Sequence, residues 1–396
     1  MLKIFAAVSA ALVLAAGPAI ADKSRPIDRA VDKAMQRGWP AVAVLVETAD
    51  GTVQTAAAGF ASLELRTPMT RTAAFHMCSI SKTFTAVAVL RLVDEGKLSL
   101  DEKVTAILDQ PVVKRIPSIE DVTIGQLLDH SSGIYPTNND PTYLQTLIGA
   151  DAFSGRVWTP EEMVELATRP GNKPAAKPGE GHPYSDTNYI LLGMIVERVA
   201  REPYKVHVAR TILRPLHMDA TYFHSDVLEG KRATPASVAS GYIKLTQDLT
   251  NAVTFNPRFP APRKGWLNTS TAAESIDAAA GLVTTLPDLR KFAAALFRGK
   301  LLSAKSQSFM TAVQGAMAGT AVGKQKTRAL EARTTAFGLV LFKSGDGPGG
   351  FNTLMAYHVE SGTIFLGFTN QFGDFDEVDV MMTDLMGAAV RSATSP

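Results

Sequence analysis

The stretch FHMCSISKTFTAVAVL, residues 75–90, has a serine and a lysine three positions apart at the start of a mostly apolar segment. Ser79 and Lys82 stand at positions i and i+3, which share one face of a helix. Between residues 84 and 93 only Arg91 is charged, so we expect this helix to run through the interior. Ser79 is then placed at the helix N-terminus, where free backbone N–H groups and the helix dipole favour negative charge.

Strand-like runs lie at both ends of the chain, and helical patterns occupy its middle. Residues 41–48 and 53–60 form two such runs, joined by an Asp-Gly turn signal, and residues 352–359 and 363–369 form another pair. The economical arrangement is an α+β fold, with one antiparallel sheet built from both termini, flanked by helices, and an all-helical lobe inserted. We expect the α/β part over about 22–90 and 273–396 and the helical lobe over about 91–272.

Capping and periodicity signals predict the helices. We expect a helix near 26–37, helices that begin with capping boxes at Thr123–Gln126 and Thr159–Glu162, a buried helix within 187–202, a helix capped by Thr285 and a final amphipathic helix at 376–392. Residues 250–272 lack clear periodicity and are predicted to form a long surface loop.

The first 21 residues have a basic start, an apolar run and the small residues AIA before Asp22. This pattern predicts a secretory signal peptide cleaved after Ala21, hence a periplasmic or secreted protein. No second long apolar run follows, so we expect no membrane span in the mature chain. Without Lys3, the 40 basic and 38 acidic residues become 39 and 38, which argues against a nucleic acid partner. Cys78 is the only cysteine, which excludes an intramolecular disulfide, and we interpret it as a buried small side chain.

The Ser79–Lys82 pair suggests nucleophilic catalysis. A serine hydroxyl is a weak nucleophile until a base takes its proton. A lysine withdrawn from water loses basicity because its charged form is disfavoured, so a semi-buried Lys82 could be neutral enough to act as that base. A chain of this length contains about one S-x-x-K by chance, so a capping serine beside a lysine that extends to solvent is the alternative. Other segments of the sequence must distinguish a catalytic Ser79–Lys82 pair from this structural alternative.

Two further segments add chemistry to the pair. Tyr184, in GHPYSDTNYILLG, precedes a buried helix, and a tyrosine near an ammonium group can lose its proton more easily and serve as base or acid. The triplet Lys343-Ser344-Gly345 precedes a glycine-rich turn, where backbone can approach a ligand closely and Lys343 offers a cation to a substrate carboxylate.

In this order, S-x-x-K, Tyr-Ser-x and Lys-Ser-Gly resemble the motifs of the serine β-lactamase and penicillin-binding-protein family. The chain is most similar to class C β-lactamases, D-alanyl-D-alanine carboxypeptidases and related esterases, and the similarity includes LLDHSSGI (127–134) and YSDTNYILLGMIVERV (184–199). The resemblance implies an α+β β-lactamase/transpeptidase-like fold with the site between sheet and helical lobe. It also implies Ser79 as nucleophile, Lys82 and Tyr184 as proton-transfer groups, and Lys343, Ser344 and Gly345 along the substrate. The backbone N–H groups of Ser79 and Asp346 would form the oxyanion hole.

The sequence departs from this pattern in two places. Family members usually have Asn where this chain has Asp186, and its carboxylate either faces the pocket near Lys82, where it would hold the lysine protonated, or caps the following helix. The segment FGLVLF normally precedes the third motif by a further turn and strand, but here Lys343 follows it at once.

These observations predict an exported serine hydrolase that forms an acyl-enzyme on an amide or ester: a β-lactam, a D-Ala-D-Ala-type peptide or a carboxylic ester. The alternative is a penicillin-recognising binding protein that acylates without turnover or does not react. His130 lies in what resembles a structural turn, and no G-x-S-x-G occurs, so a conventional triad is disfavoured. The seven histidines form no metal-spaced cluster, and we expect no cofactor and a small-molecule or peptide substrate. The oligomeric state stays open.

Overall fold

The computed structural model describes residues 25–147, 149, 156–233, 237–247, 257–270, 276–315, 324–347 and 349–373, together with 383, 384, 386–388 and 390. The predicted signal peptide lies outside these residues, as does most of the amphipathic helix expected at 376–392. Within the ranges described, no helix is both long enough and apolar enough to cross a membrane.

A large antiparallel sheet, hereafter the central sheet, is built from both ends of the chain, as predicted. Its described strands follow one another across the sheet in the order Thr67–Pro68, Val53–Ser62, Ala41–Glu47, Thr363–Thr369, Phe351–His358, Gly338–Gly347, Glu331–Thr335 and Lys324–Lys326. Val42 pairs with Thr369 on one side and with Ala58 on the other, so a strand from near the C-terminus lies directly beside the first strand.

The pleat of the first strand divides its side chains between two cores. Every residue of Ala41–Glu47 is buried, because both faces of the central sheet are covered. Val42, Val44 and Val46 pack with the first helix, Pro26–Gln36, while Ala43 and Leu45 face the core that contains the helix Ser81–Asp94. Successive residues of a strand point to opposite faces, so this run of small and branched apolar residues suits a strand covered on both sides.

The α-helices of the described chain are Pro26–Gln36, Ser81–Asp94, Val104–Ile107, Pro111–Lys114, Ile124–Leu128, Pro141–Leu147, Pro160–Ala167, Asp186–Ala200, Tyr204–Val208, His224–Leu228, Leu286–Phe297 and Ala304–Thr311. Short 3₁₀ turns cover Cys78–Ile80, Ile119–Asp121 and Thr137–Asn139, and a π-helical turn covers Ala209–Leu213. Both predicted capping boxes are confirmed. The hydroxyl of Thr285 accepts a hydrogen bond from the Asp288 N–H at 3.3 Å, as a cap should.

The middle of the chain is mainly but not entirely helical. Two small sheets use short strands from it: one joins Gln371–Phe372, Tyr242–Lys244 and Trp266–Asn268, and the other joins Phe75–His76, Leu282–Thr284 and Tyr222–Phe223. The expected loop at 250–272 therefore contains a strand, and its residues 250–256 and 271–272 lie outside the described chain. Strands of two or three residues are too short to leave a period in the sequence.

The helix Ser81–Asp94 is buried, as its apolar sequence predicts. The ring of Phe84 stacks on that of Phe292 with centroids 3.7 Å apart, and full burial of such a side chain stabilises the fold by roughly 1.5–3 kcal/mol. The start of this helix is also tied to residues 276–284. Leu282 donates its N–H to Ser81 Oγ at 3.2 Å, and the Thr85 hydroxyl donates to the Ala278 carbonyl at 2.6 Å.

Candidate active site

Ser79 lies in the 3₁₀ turn that leads into the helix Ser81–Asp94. From residue 73 to residue 90 every residue is buried except Ser79, which is half-buried. Cys78, just before it, has a left-handed backbone conformation with φ of 49°, which costs a non-glycine residue roughly 1–2 kcal/mol. The turn therefore leaves the side chain of Ser79 partly accessible to solvent within an otherwise buried segment. Cys78 itself is a free thiol and buried, as expected.

Lys82 is fully buried, and its ammonium group has three partners. Its Nζ donates to Ser79 Oγ at 3.1 Å and to the Ala279 carbonyl at 2.9 Å, and it forms an ion pair with the Asp186 carboxylate. An ammonium group has three protons to donate, so these contacts satisfy it completely. The lysine is thus a buried neighbour of the serine and does not extend to solvent, which removes the alternative of a snorkelling side chain.

Asp186 faces the pocket and does not cap its helix. It is the first residue of Asp186–Ala200, where the capping position belongs to Ser185, and no side-chain cap hydrogen bond is present there. Its Oδ1 instead accepts from Lys82 Nζ. Of the two roles that the sequence left open for this carboxylate, the contact beside Lys82 is the one observed.

Tyr184 donates its hydroxyl proton to Ser79 Oγ at 2.9 Å. Its ring centroid lies 5.2 Å from Lys82 Nζ and 4.9 Å from Lys343 Nζ, and the ring stacks on His130 with centroids 4.2 Å apart. Loss of water around the hydroxyl raises the pKa of Tyr184; the Lys343 charge opposes this rise and the Asp186 charge adds to it. The charge of Lys343 therefore acts in the expected direction, but desolvation outweighs it, and the net effect keeps Tyr184 a neutral phenol.

His130 has a supporting position behind the tyrosine. It is buried, and its Nδ1 accepts the N–H of Ser185 at 3.2 Å. Burial, with the charges of Lys343 and His182 next, holds the pKa of His130 well below its ordinary value, so the ring is neutral at pH 7. Stacked on Tyr184 and bonded to the next residue's backbone, it fixes where the phenol lies.

Lys343 reaches the site from the strand Gly338–Gly347, in spite of the short approach that follows FGLVLF. Its Nζ lies 3.1 Å from Glu331 Oε1 on the neighbouring strand and beside the Tyr184 ring. Burial works to lower the pKa of Lys343, but the neighbouring Tyr184 hydroxyl and the Glu331 carboxylate outweigh it, and the pKa is raised. Lys343 is therefore a cation, and it is paired with a carboxylate.

Gly345 allows the same strand to lie against the nucleophile's backbone. A Cβ at this position would be 2.4 Å from the Met77 carbonyl oxygen, 2.6 Å from Thr353 Oγ1 and 2.9 Å from the Ser79 nitrogen. The ladder with Glu331–Thr335 ends at Phe342, so from Lys343 onward this edge of the strand is free of that partner. Only glycine fits here, because its lack of a side chain lets this edge of the strand contact the turn that carries Ser79.

Ser344 and Asp346 alternate with Lys343 and Gly345 along the strand. Ser344 is half-exposed, and Asp346 is exposed. They therefore lie on the outer side of this edge, whereas Lys343 and Gly345 face the buried side where Ser79, Lys82 and Tyr184 meet. The structure thus brings the other predicted site residues together beside the part of strand Gly338–Gly347 that lies beyond its ladder with Glu331–Thr335, and leaves Ser344 and Asp346 on the other side of that strand.

A sequence-family comparison matches residues 27–384 to the Beta-lactamase family. The chain belongs to that family.

Solved structures with this family's fold resemble the chain over nearly its whole length. The D-amino acid amidase from Ochrobactrum anthropi SV3 superposes with a TM-score of 0.78 at 24% identity, covering 93% of this chain and 99% of the amidase. The D-stereospecific amidohydrolase from Streptomyces sp. has a TM-score of 0.73 at 27% identity, covering 89% of this chain and 96% of the other.

Curated sequence relatives include penicillin-binding protein 4* of Bacillus subtilis (strain 168), 27% identical over 187 residues. That alignment covers 47% of this chain and 38% of the relative. The chain spans about two fifths of the length of the curated relatives it matches. The chain thus belongs to a family of β-lactamase-fold serine hydrolases, and these relatives include amidases and a penicillin-binding protein.

Two contributors to the site of this beta-lactamase family member escaped the sequence analysis: Glu331, the partner of Lys343, and the Ala279 carbonyl, which accepts from Lys82. A signal existed for Glu331. Two strands joined by a tight turn at residues 336–337 place Glu331 opposite Phe342, next to Lys343. No signal existed for the carbonyl of Ala279, because a backbone acceptor has no residue type to recognise.

Proposed function

We propose that this protein hydrolyses amides or esters through an acyl-enzyme formed on Ser79. The observation that carries the proposal is the convergence on one half-buried hydroxyl oxygen of Lys82 Nζ at 3.1 Å and Tyr184 OH at 2.9 Å. A serine between a potential base and a proton donor is the arrangement that nucleophilic catalysis requires.

In the proposed acylation, Ser79 Oγ attacks the substrate carbonyl carbon as its proton passes to the neutral form of Lys82. Tyr184 donates its own proton to the leaving nitrogen or oxygen, and the carbon–leaving group bond breaks. The Lys82 ammonium then returns a proton to Tyr184. Water later cleaves the ester to Ser79 by the reverse proton movements, releasing the acid and restoring the serine.

The developing oxyanion would be stabilised by the backbone N–H groups of Ser79 and Asp346. Support comes from the contact at Gly345, which sets the edge of the strand against the Ser79 nitrogen. Removal of one such donor typically lowers kcat by roughly 10²–10³-fold.

The ion pair between Lys82 and Asp186 fixes the position of the lysine before any substrate binds. In the structure the Lys82 ammonium group is held between the Asp186 carboxylate, Ser79 Oγ and the Ala279 carbonyl. The same pair is the observation that favours the second candidate, a protein that becomes acylated and does not turn over.

Mass spectrometry separates these cases. A fluorophosphonate probe should add its mass to Ser79, Ser79→Ala should abolish both labelling and turnover of a p-nitrophenyl ester, and Cys78→Ala is the matched control that keeps both. Turnover of the ester or of a chromogenic cephalosporin identifies an enzyme, and a stable adduct without turnover identifies an acylating binder. A label on Cys78, or none on either residue, would overturn the proposal.

The leader predicted over residues 1–21 supports placing this activity in the periplasm or outside the cell. Expression of the full chain, followed by N-terminal sequencing of the exported product, tests the expected cleavage after Ala21. A product that retains Met1 in the cytoplasm would contradict the export.

A further inference from the structure

Glu331 contributes a carboxylate to the site from the strand next to that of Lys343. Its Oε1 lies 3.1 Å from Lys343 Nζ, within hydrogen-bonding distance. The side chain of Lys343 is 6% exposed and that of Glu331 is 14% exposed, so water and salt screen this ion pair little. The register of the two strands sets the contact, because Glu331 pairs with Phe342, the residue before Lys343. The ion pair is therefore part of the built site.

Lys343 lies on the side of the site where a leaving group would depart. Its Nζ is 4.9 Å from the centre of the Tyr184 ring, and the Tyr184 hydroxyl donates to Ser79 Oγ at 2.9 Å. In the proposed acylation Tyr184 protonates the leaving group, so that part of the substrate lies beside the phenol and toward Lys343. The other lysine beside the ring, Lys82, already donates all three of its protons. A carboxylate on the leaving group would therefore depend on Lys343 for a cation.

Such a carboxylate competes with Glu331 for the Lys343 ammonium group. If it displaces Glu331, that side chain is left largely buried without its partner, and removal of one partner from a buried ion pair is strongly unfavourable. If Glu331 stays, two carboxylates share one ammonium group and repel each other. Glu331 thus neutralises the positive charge that an anionic leaving group would need.

We propose that Glu331 is a specificity-determining residue that directs the site toward leaving groups without a carboxylate. The inference rests on the proposed acyl-enzyme function and adds to it the residue that selects the leaving group. Lys343, which the resemblance places along the substrate, becomes available to an anion only when the charge of Glu331 is removed. Substitution of this one residue should therefore change which leaving groups the site accepts.

The test uses two thioesters of N-benzoylglycine, one with thioglycolate and one with methyl thioglycolate as the leaving group, and measures the released thiol. Both form the same acyl-enzyme, so the ratio of their kcat/KM values reports how the leaving group is accepted during acylation. We expect the wild-type protein to prefer the methyl ester. Glu331→Gln keeps the size of the side chain and an acceptor oxygen for Lys343 but removes the charge. We expect it to raise the carboxylate-to-methyl ratio by roughly ten- to hundredfold, the effect of one hydrogen bond to a charged group.

Glu360→Gln is the matched control. Glu360 is exposed and contacts the start of the strand Gly338–Gly347, where its carboxylate accepts the Leu339 N–H at 3.0 Å. The substitution removes the same charge and should keep the wild-type ratio. A double variant with Glu331→Gln and Lys343→Gln should lose the increase, because the gain requires an unpaired ammonium group. Glu331→Ala should reproduce the increase and is the second variant should Glu331→Gln fail to fold.

An unchanged ratio in the Glu331 variants, an equal increase in Glu360→Gln, or a wild-type preference for the thioglycolate substrate overturns the inference. In each of these cases fluorophosphonate labelling of Ser79 leaves the proposed hydrolase function standing. Hydrolysis of neither thioester by the wild-type protein and the variants also overturns the inference, and the labelling result then decides the proposed function separately.

Discussion

Replacement of Gly345 by alanine is the sharpest steric test of the site. The added Cβ would lie 2.4 Å from the Met77 carbonyl oxygen and 2.9 Å from the Ser79 nitrogen, where ordinary contacts begin at 3.4 Å. Both atoms are backbone atoms of the turn that carries the nucleophile, so no side chain can rotate to relieve them. The shortfall at Met77 is about 1 Å, and the strand or the turn has to move by about that distance.

A displacement of about 1 Å in a catalytic constellation typically lowers the rate by about 10²-fold, and loss of an oxyanion donor by roughly 10²–10³-fold. We therefore expect kcat/KM of Gly345→Ala for a p-nitrophenyl ester to fall by roughly 10²–10³-fold. The rate of fluorophosphonate labelling of Ser79 should fall in parallel, because it uses the same oxyanion site. Overpacking of this kind costs roughly 1–3 kcal/mol of stability, so the thermal midpoint should decrease, with the protein still folded at assay temperature.

Gly125→Ala is the matched control for this substitution. Gly125 lies in the helix Ile124–Leu128, and a Cβ there meets the Leu100 carbonyl oxygen at 3.3 Å, a contact that a small shift relieves. We expect this variant to keep the wild-type rate. If Gly345→Ala stayed within about threefold of wild type, well short of the effect of losing an oxyanion donor, the strand edge would not form part of the catalytic site.

Three further predictions concern the groups around Ser79. Lys82→Arg should lower kcat/KM by roughly 10²–10⁴-fold, because a guanidinium group does not release its proton at working pH, and a loss under about threefold would exclude the base role. Asp186→Asn should change kcat/KM for the p-nitrophenyl ester, because it removes the carboxylate that is paired with the buried Lys82 ammonium group; an unchanged kcat/KM would show that the ion pair does not affect the reaction. Tyr184→Phe should lower kcat by roughly 10²–10⁴-fold and leave the alkaline limb of the kcat–pH profile in place, since the raised pKa of Tyr184 puts its ionisation above the working range. A limb that moved in Tyr184→Phe would instead assign the alkaline ionisation to the phenol.

The architecture is predictable from the sequence because each large element carries its own local signal. The strand Ala41–Glu47 is a run of mostly small and branched apolar residues. The capping boxes at Thr123 and Thr159 mark the starts of two helices. The small sheets carry no such signal, since their strands are two or three residues long. The strand Trp266–Asn268 is therefore not predicted from the sequence, and its residues fall in the loop expected at 250–272.

The identity of the residues near Ser79 was predictable, but their charge states were not. Motif order alone brought Ser79, Lys82 and Tyr184 together, and the structure places both partners within hydrogen-bonding distance of the serine. The protonation of Tyr184 depends on two opposing effects on its pKa: loss of water raises it, and the charge of Lys343 lowers it. Which effect is larger depends on the three-dimensional packing around the hydroxyl. The partner of Lys343 likewise depends on the register of two strands.

The interleaving of first and last strands in the central sheet has a consequence for the order of folding. Val42 pairs with Thr369, so its neighbour in the sheet is synthesised 327 residues later. At roughly 5–20 residues per second, that interval is about 15–65 s, during which the apolar strand Ala41–Glu47 has no permanent cover on that edge. Pairing across such a sequence separation is slow, because the chain must lose the conformational entropy of a long loop before the two strands can form their stabilising contacts. The contact between Gly345 and the Ser79 turn forms only once the C-terminal strands are in place, so we expect hydrolytic competence to appear late, with the completed sheet, and not with the Ser79 helix alone.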